Sequence, residues 1–270
     1  MLILLPPSET KRDGGAGEPL DLARLSFAPL TTVRRDVLDA VAVLSRDREA
    51  SIRALKLGPK QGAEVDRNRA IPTAQTMPAL ERYTGVLYDA LDAPALTAQQ
   101  RAFAHDNVAV HSALLGLVAA GDPVPAYRLS FDSRLSAERG APSLKKRWVP
   151  AVGDVLAARE GLIVDLRSEG YAALGPVPLR DHVHFVRVLA RDENGRTRAL
   201  NHFNKQAKGL FTRALIEAGV DFAGSGELLD WARAEGYDLS LASGPEAGGG
   251  LELVVPEVTG VPGRLMAALR

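Results

Sequence analysis

The chain has 270 residues, 46% of them hydrophobic and 24% charged, a composition that suits a soluble globular protein able to bury a sizeable core. It has no cysteine, which excludes disulfides, thiolate metal sites and a cysteine nucleophile and fits a reducing compartment. Lys and Arg number 33, as do Asp and Glu, and the net charge of zero argues against indiscriminate coating of nucleic acid. The charge is nevertheless uneven: from residue 221 onward eight acidic side chains outnumber three basic ones, leaving a mildly basic body ahead of an acidic region.

The apolar run at 2–5 predicts a short buried strand; it stops at Pro6 and Pro7, too short for a signal peptide or a membrane span. Residues 6–20 read as a loop rich in Pro and Gly. Thr31 or Thr32 predicts the cap of a helix reaching about residue 45, with Val37, Leu38, Val41 and Leu44 at helical spacing. A second short helix is expected over 50–57, closed by Gly58 and Pro59, and 60–76 reads as irregular and polar. A helix over 97–106 leads into a strand over 108–110, and 127–131 predicts another strand. Trp148, Val152, Val155 and Leu156 mark a helix over 144–159, and Gly161 punctuates before a strand over 162–166. Strands over 184–190 and 197–203 are expected to pair around Asp192, Glu193, Asn194 and Gly195, because Asn-Gly is a strong tight-turn signal. Helices follow at 204–218 and 226–235, and Gly248, Gly249 and Gly250 form a joint before a last strand over 251–255. Interleaved strands and helices with a hairpin predict the α+β class: a single domain over 1–270 with a mixed β-sheet flanked by helices, ending in an acidic part at 241–270.

The most informative stretch is NHFNKQAKGLFTR at 201–213, which follows a predicted strand and opens a predicted helix. Lys205, Lys208, Gly209, Thr212 and Arg213 share one broad helical face, while Ala207, Leu210, Phe211 and Ala214 take the other. The free N–H groups and positive dipole end of a helix start add to those cations, so the segment predicts an anion site suited to phosphate. The competing reading is a solvated basic face. Lys11, with Ser8 and Thr10, lies just beyond a strand, where binding groups gather, and predicts a second anion contact; no P-loop pattern accompanies it, and a solvated loop is the alternative. Tyr83 and Tyr127 offer stacking faces with hydroxyls, and Arg128 offers a planar fork for phosphate, against the alternative of core tyrosines and a surface ion pair. Ser8, Glu9, Tyr83 and Glu169 are the catalytic candidates; a carboxylate among cations more often sits in an ion pair. His182 and His184 would share one strand face, but no third ligand clusters with them, so neither metal nor cofactor is expected. The basic run at 145–147 has no interleaved aromatics and predicts no stacking platform for single strands.

Six stretches in order resemble the YaaA family of bacterial peroxide-stress proteins: LILLPPSETK at 2–11, YTG at 83–85, YRL at 127–129 with Ala126 in place of a proline, DLRSEGY at 165–171 beside the family's Asn-Leu-Ala-Ser-x-Glu-Tyr type, the basic helix at 205–213, and EGY at 235–237. The resemblance implies a cytoplasmic protein of the peroxide response, linked to limiting free intracellular iron. It also implies a mixed α/β domain of unusual topology, likened to a cantaloupe, and DNA binding through a positive cleft and a helix-hairpin-helix-like element. At 111–120 the family pattern Leu-Ser-Gly-Leu-Tyr-Gly-Val-Leu-Arg-Pro corresponds to HSALLGLVAA, which keeps only Gly116 of the two glycines and lacks the arginine. Both losses remove groups that such an element uses to hold a phosphate.

The expected function is therefore that of a peroxide-stress protein binding duplex DNA or another phosphate-bearing ligand, with no membrane association. Lys11, Arg128, Lys205, Lys208 and Arg213 are the expected phosphate contacts, with Thr10, Tyr83, Thr84, Gly85, Tyr127 and Gly209 shaping the site. The alternative is an enzyme acting on a nucleotide or nucleoside in the same cleft, where the cations hold a phosphate, Tyr83 or Glu169 handles a proton, and Ser8 or Glu9 approaches the reacting atom.

Overall fold

Strands β1 (Leu2–Leu5) and β4 (Val108–Ser112) are buried along their whole length, as strands covered on both faces must be, and they read as apolar runs for that reason. The structure, a computed structural model, describes residues 1–136, 138, 140–191, 197–199, 203–242 and 249–256. In chain order the remaining elements are β2 (Gly17–Pro19), α1 (Thr31–Leu44), α2 (Arg48–Ala54), α3 (Ala63–Ala70), β3 (Gln75–Pro78), α4 (Ala79–Arg82), α5 (Val86–Leu91) and α6 (Ala98–Asn107) ahead of β4. After it come β5 (Gly116–Ala119), β6 (Pro123–Val124), α7 (Leu144–Ala157), β7 (Ile163–Asp165), α8 (Glu169–Ala172), β8 (Val183–Arg191), β9 (Thr197–Ala199), α9 (Phe203–Ala218), α10 (Ser225–Ala234), β10 (Asp238–Leu241) and β11 (Leu251–Pro256).

The main sheet runs β10-β11-β8-β7-β1-β4-β5, with β9 also pairing β8. Pairing is parallel from β4 through β1, β7 and β8 to β11, and antiparallel for β5, β9 and β10. This is the mixed, helix-flanked sheet expected from the interleaved pattern. The chain leaves β1 for β4 on one side and later returns to β7 on the other. Strand order therefore reverses at β1, and a crevice is expected outside the carboxyl end of that strand.

Several elements differ from the sequence expectation, each for a local reason. Residues 60–76 hold α3 and β3; the helix shows no apolar stripe because Val65 and Asn68 are its buried residues. Residues 127–131 form no strand: the Asn68 side chain takes the place of a partner strand, accepting from Arg128 N at 2.7 Å and donating to Arg128 O at 2.8 Å. The segment 111–120 is the β4–β5 hairpin, buried throughout, so no exposed helix-hairpin-helix turn exists there. Its Gly116 has φ +66° and would place a Cβ 2.7 Å from Trp148, which explains the one glycine retained. Helix α1 starts behind Leu30 without a side-chain cap, whereas Thr97 and Gln100 form a full capping box on α6. Strand β10 pairs β11 and was not anticipated. The β8–β9 pair confirms the second hairpin, while its turn at 192–195, together with His202, Gly248 and much of the acidic end, lies outside the described residues.

Gly209 serves packing. A Cβ there would meet Leu87 O on α5 at 2.1 Å and the Ala90 Cβ at 2.9 Å, so α9 and α5 touch backbone to backbone at this point. Gly209→Ala should lower stability by about 1–3 kcal/mol despite the better helix propensity of alanine, read as a shift in the urea midpoint with an unchanged slope.

Candidate functional site at the strand ends

The loop leaving β1 folds back over the sheet edge. Lys11 forms an isolated antiparallel bridge with Tyr83, Arg12 N donates to Arg82 O at 2.9 Å, and Thr84 N donates to Thr10 O at 3.3 Å. The buried Arg82 guanidinium fastens this loop by donating to Arg12 O, to Gly14 O at 2.8 Å, to Gln75 O at 3.0 Å and to Val124 O at 2.9 Å. Lys11 is thereby forced inward and is 7% exposed. Its Nζ donates to Ser8 O at 2.9 Å and Glu9 O at 3.3 Å, and lies 4.0 Å from the Tyr127 ring centre and 5.3 Å from that of Tyr83. No carboxylate pairs with it among the described residues. Burial, reinforced by the Arg128 charge, lowers its pKa from 10.5 to about 7.

Behind the lysine runs a chain of hydroxyls. Tyr83 and Tyr127 share a hydrogen bond of 2.9 Å, and Tyr127 and Ser112 share one of 2.7 Å. Ser112 Oγ also accepts the N–H groups of Leu114 at 3.1 Å and Leu115 at 3.0 Å, at the β4–β5 turn. With both lone pairs taken, Ser112 must give its proton to Tyr127, which leaves Tyr127 its own proton to give to Tyr83. The Tyr83 proton is left free of the chain. Burial pushes the Tyr83 hydroxyl up to about 12 and raises that of Tyr127 well above its usual value, so both stay protonated.

Around this core sit more accessible groups. Arg128 Nη2 donates to Glu9 at 2.5 Å, and the Glu9 side chain is 57% exposed while that of Arg128 is 10%. Ser8, Thr10 and Thr84 hydroxyls link at 3.1 Å each, next to Gly85, whose φ of +94° requires glycine. The predicted residues Ser8, Glu9, Thr10, Lys11, Tyr83, Thr84, Gly85, Tyr127 and Arg128 thus occupy one neighbourhood.

A second group lies at the end of β7. Arg167, fully buried, donates to both oxygens of the equally buried Asp165, through Nε at 2.8 Å and Nη2 at 2.6 Å. Its Nη1 donates to His111 Nδ1 at 2.8 Å and Gly175 O at 2.9 Å. Because Arg167 can only donate, His111 accepts through Nδ1 and carries its proton on Nε2. Burial and the Arg167 charge hold the His111 pKa well below its usual value. Lys208 donates to Arg167 O at 3.3 Å and lies 5.6 Å from the Phe185 ring centre. Burial lowers its pKa to about 8, against the opposing pull of Asp165 and Glu169. Lys205, one turn earlier on α9, is exposed, with no ion pair among the described residues.

Other expectations are placed differently. Arg213 is held by Glu217 at 2.6 Å and by Leu91 O at 3.0 Å and Asp92 O at 2.9 Å, which ties α9 to the end of α5. With Gly209 it belongs to the helix contact rather than to an open anion-binding face. Glu169 is exposed at the start of α8. His184 is 2% exposed and bonds Gly249 O through Nδ1, while His182 precedes the strand, so the two do not share a strand face. No group of three or more His, Asp or Glu side chains among the described residues is arranged to hold a metal. A cavity of about 470 Å³ lined by Leu20, Leu22, Leu38, Val41, Ile71 and Asn68 lies elsewhere, between α1 and α3. Sequence reading missed Asn68, Arg82, Ser112, Asp165, Arg167 and His111; the signal for Asp165 and Arg167 was their i, i+2 spacing beyond an apolar strand.

Fold and site together define a mixed-sheet α/β protein with a polar, partly charged cluster at the carboxyl ends of its central strands. The model of the family described as peroxide stress protein YaaA matches residues 1–242, and the chain belongs to that family. It is 42% identical over 245 residues to a UPF0246 protein of Corynebacterium efficiens, covering 90% of this chain and 96% of that one. A UPF0246 protein of Corynebacterium glutamicum strain R is 41% identical over 237 residues (87% and 93%), and one of Streptomyces coelicolor is 38% identical over 268 residues (96% and 100%). No helix among the described residues is long and apolar enough to cross a membrane.

The depressed Lys11 value has a consequence for folding. Below 10.5 the unfolded chain takes up a proton on Lys11 that the folded chain refuses until about pH 7. Stability should therefore rise with pH across this window, by up to about 1.4 kcal/mol per pH unit. Lys208 acts in the same direction above about pH 8. Urea unfolding of the wild type and Lys11→Met at pH 7.5 and 9.5 checks this: the variant should show the smaller rise, and an equal rise in both would refute it.

Proposed function

We propose that the strand-end cluster is the receptor for a phosphate-bearing ligand, with duplex DNA the foremost candidate, and that the protein acts through it in the cytoplasmic peroxide response. The supporting observation is convergence. Lys11, Tyr83, Ser112, Tyr127 and Arg128 come from segments far apart in sequence and meet where strand order reverses. In this reading Arg128 and Lys205 supply charge, and the Thr10 and Thr84 hydroxyls donate to phosphate oxygens. Glu9 marks the place of the anion: an exposed carboxylate on an otherwise buried guanidinium is a partner that a phosphate can displace. Lys11 and Lys208 are both buried. Any role in limiting damage linked to free iron would be exercised through the bound ligand, not through a resident metal.

A second reading, a nucleotide- or nucleoside-processing enzyme, is favoured by one observation, the fixed direction of the hydroxyl chain ending on Tyr83. Thermal-shift titration with mononucleotides separates the two: stabilisation by micromolar nucleotide supports the enzyme. For the DNA reading, duplex affinity should fall with salt at a log–log slope of about −0.9 per phosphate neutralised. Arg128→Ala and Lys205→Ala should each make the slope shallower by about 1, while Glu9→Gln should tighten binding. A duplex affinity that ignores salt, or no binding at low salt, would refute the reading.

A further inference from the structure

Resting on that reading, we propose that Lys11 is an imine-forming amine, and that the ligand of this site is an aldehyde carried on a phosphate ester, as in an open-chain sugar phosphate. The geometry is that of an amine kept for nucleophilic use. Nζ faces two aromatic rings and two backbone carbonyls, no carboxylate among the described residues touches it, and the neighbouring Glu9 carboxylate is spent on Arg128. A free amine donating to two carbonyls still has its lone pair, and its state near neutral pH agrees with this. Tyr83 stands beside it with a proton that the hydroxyl chain does not use. In this proposal Arg128, which now holds Glu9, and the linked Thr10 and Thr84 hydroxyls take the ester while the carbonyl carbon meets Nζ.

The step balances without a co-reactant. The Lys11 lone pair adds to the carbonyl carbon, and one proton passes from nitrogen to the former carbonyl oxygen by way of the Tyr83 hydroxyl. The resulting carbinolamine loses its hydroxyl with the second nitrogen proton as one water, leaving a C=N bond to Lys11. Nothing is oxidised or reduced. Lys208 is the contrasting case: it is buried to a similar degree, but Asp165 and Glu169 favour its charged form with no opposing cation among the described residues, whereas Arg128 and Arg67 work against Glu64 and Glu9 at Lys11.

The shared chemistry has two sources, a free sugar phosphate and a base-less deoxyribose within DNA. The full chain is incubated at pH 7.5 with deoxyribose 5-phosphate in one arm and with a duplex containing one abasic site in the other, and borohydride is added to reduce any imine. Peptide mass mapping should find the reduced adduct on Lys11 in at least one arm, and the arm that reacts names the source. Lys11→Met should lower the trapped fraction at least tenfold, and Tyr83→Phe, which keeps the amine, should slow trapping on the order of tenfold. Circular dichroism and melting confirm that both variants are folded. No adduct, or an adduct confined to exposed lysines such as Lys145 and Lys205 and unchanged in Lys11→Met, would overturn the proposal. Binding of an intact duplex without borohydride is measured in parallel. Salt-dependent binding with no trapping defeats the imine alone, whereas loss of both defeats the phosphate reading as well.

Discussion

A carboxylate and a guanidinium removed from water hold the functional end of the sheet together. Asp165 and Arg167 are both fully buried, and two charges in that position are tolerable only if their hydrogen-bonding capacity is met. Asp165 takes the guanidinium on both oxygens and also accepts Arg167 N at 3.0 Å, so the pair closes a tight turn at the end of β7. The remaining Nη1 hydrogens reach His111 on β4 and Gly175 beyond α8, and the Arg167 carbonyl receives Lys208 from α9. One ion pair thereby links β7, β4, the α8 segment and α9. Removing either member strands the other as an uncompensated buried charge, at a typical cost of about 3–5 kcal/mol. The carboxylate and the guanidinium therefore make sense only as a pair.

The hydroxyl chain follows from the neighbouring strand. Ser112 ends β4 and receives two N–H groups from the turn that follows, an ordinary way of satisfying backbone donors where a strand stops. The consequence is directional. A serine with both lone pairs occupied has only a proton to offer, so Tyr127 accepts from it and keeps its own proton for Tyr83. Backbone geometry at a buried hairpin thus sets which proton is available several residues away, at Tyr83. The edge-on contact of the Tyr83 and Tyr127 rings, at 6.5 Å and 90°, keeps the two hydroxyls in register.

Much of the frame was legible from residue pattern. The apolar run of β1, the spacing of Val37 and Val41 in α1, and Thr97 with Gln100 ahead of α6 carry local signals strong enough to survive tertiary context. Helix α3 and the segment at 127–131 were not legible, and one residue explains both: Asn68 is polar, so the helix lost its stripe, and its amide replaced a strand, so an extended segment looked like one. The gathering of Lys11, Tyr83, Tyr127 and Arg128 was anticipated through the order of short motifs, but their chemistry was not. A lysine beyond a strand looks solvated until Arg82, whose four backbone carbonyl partners are invisible in sequence, pulls the loop inward. Gly209 and Arg213 mislead for the opposite reason. A glycine and a cation on a helical wheel look alike whether they meet a ligand or another helix, and only the approach of Leu87 decides it.

The two buried lysines at this edge show how neighbours, rather than burial, assign a role. Desolvation acts on both and in the same direction. Lys208 has Asp165 and Glu169 within electrostatic reach, and these favour its ammonium form. Lys11 has Glu64 and Glu9 on one side of the balance and Arg128 and Arg67 on the other, and Arg128 weighs most among them. The same guanidinium that would hold an anion at the surface of the site therefore discourages a second positive charge beneath it. An anion arriving at Arg128 reverses that influence and draws a proton toward Lys11. A carbonyl that must be attacked by the free amine has to arrive before that proton does, or on the ligand that brings the anion. A phosphate and an aldehyde joined in one molecule meet this requirement; a bare phosphate leaves the amine charged and idle.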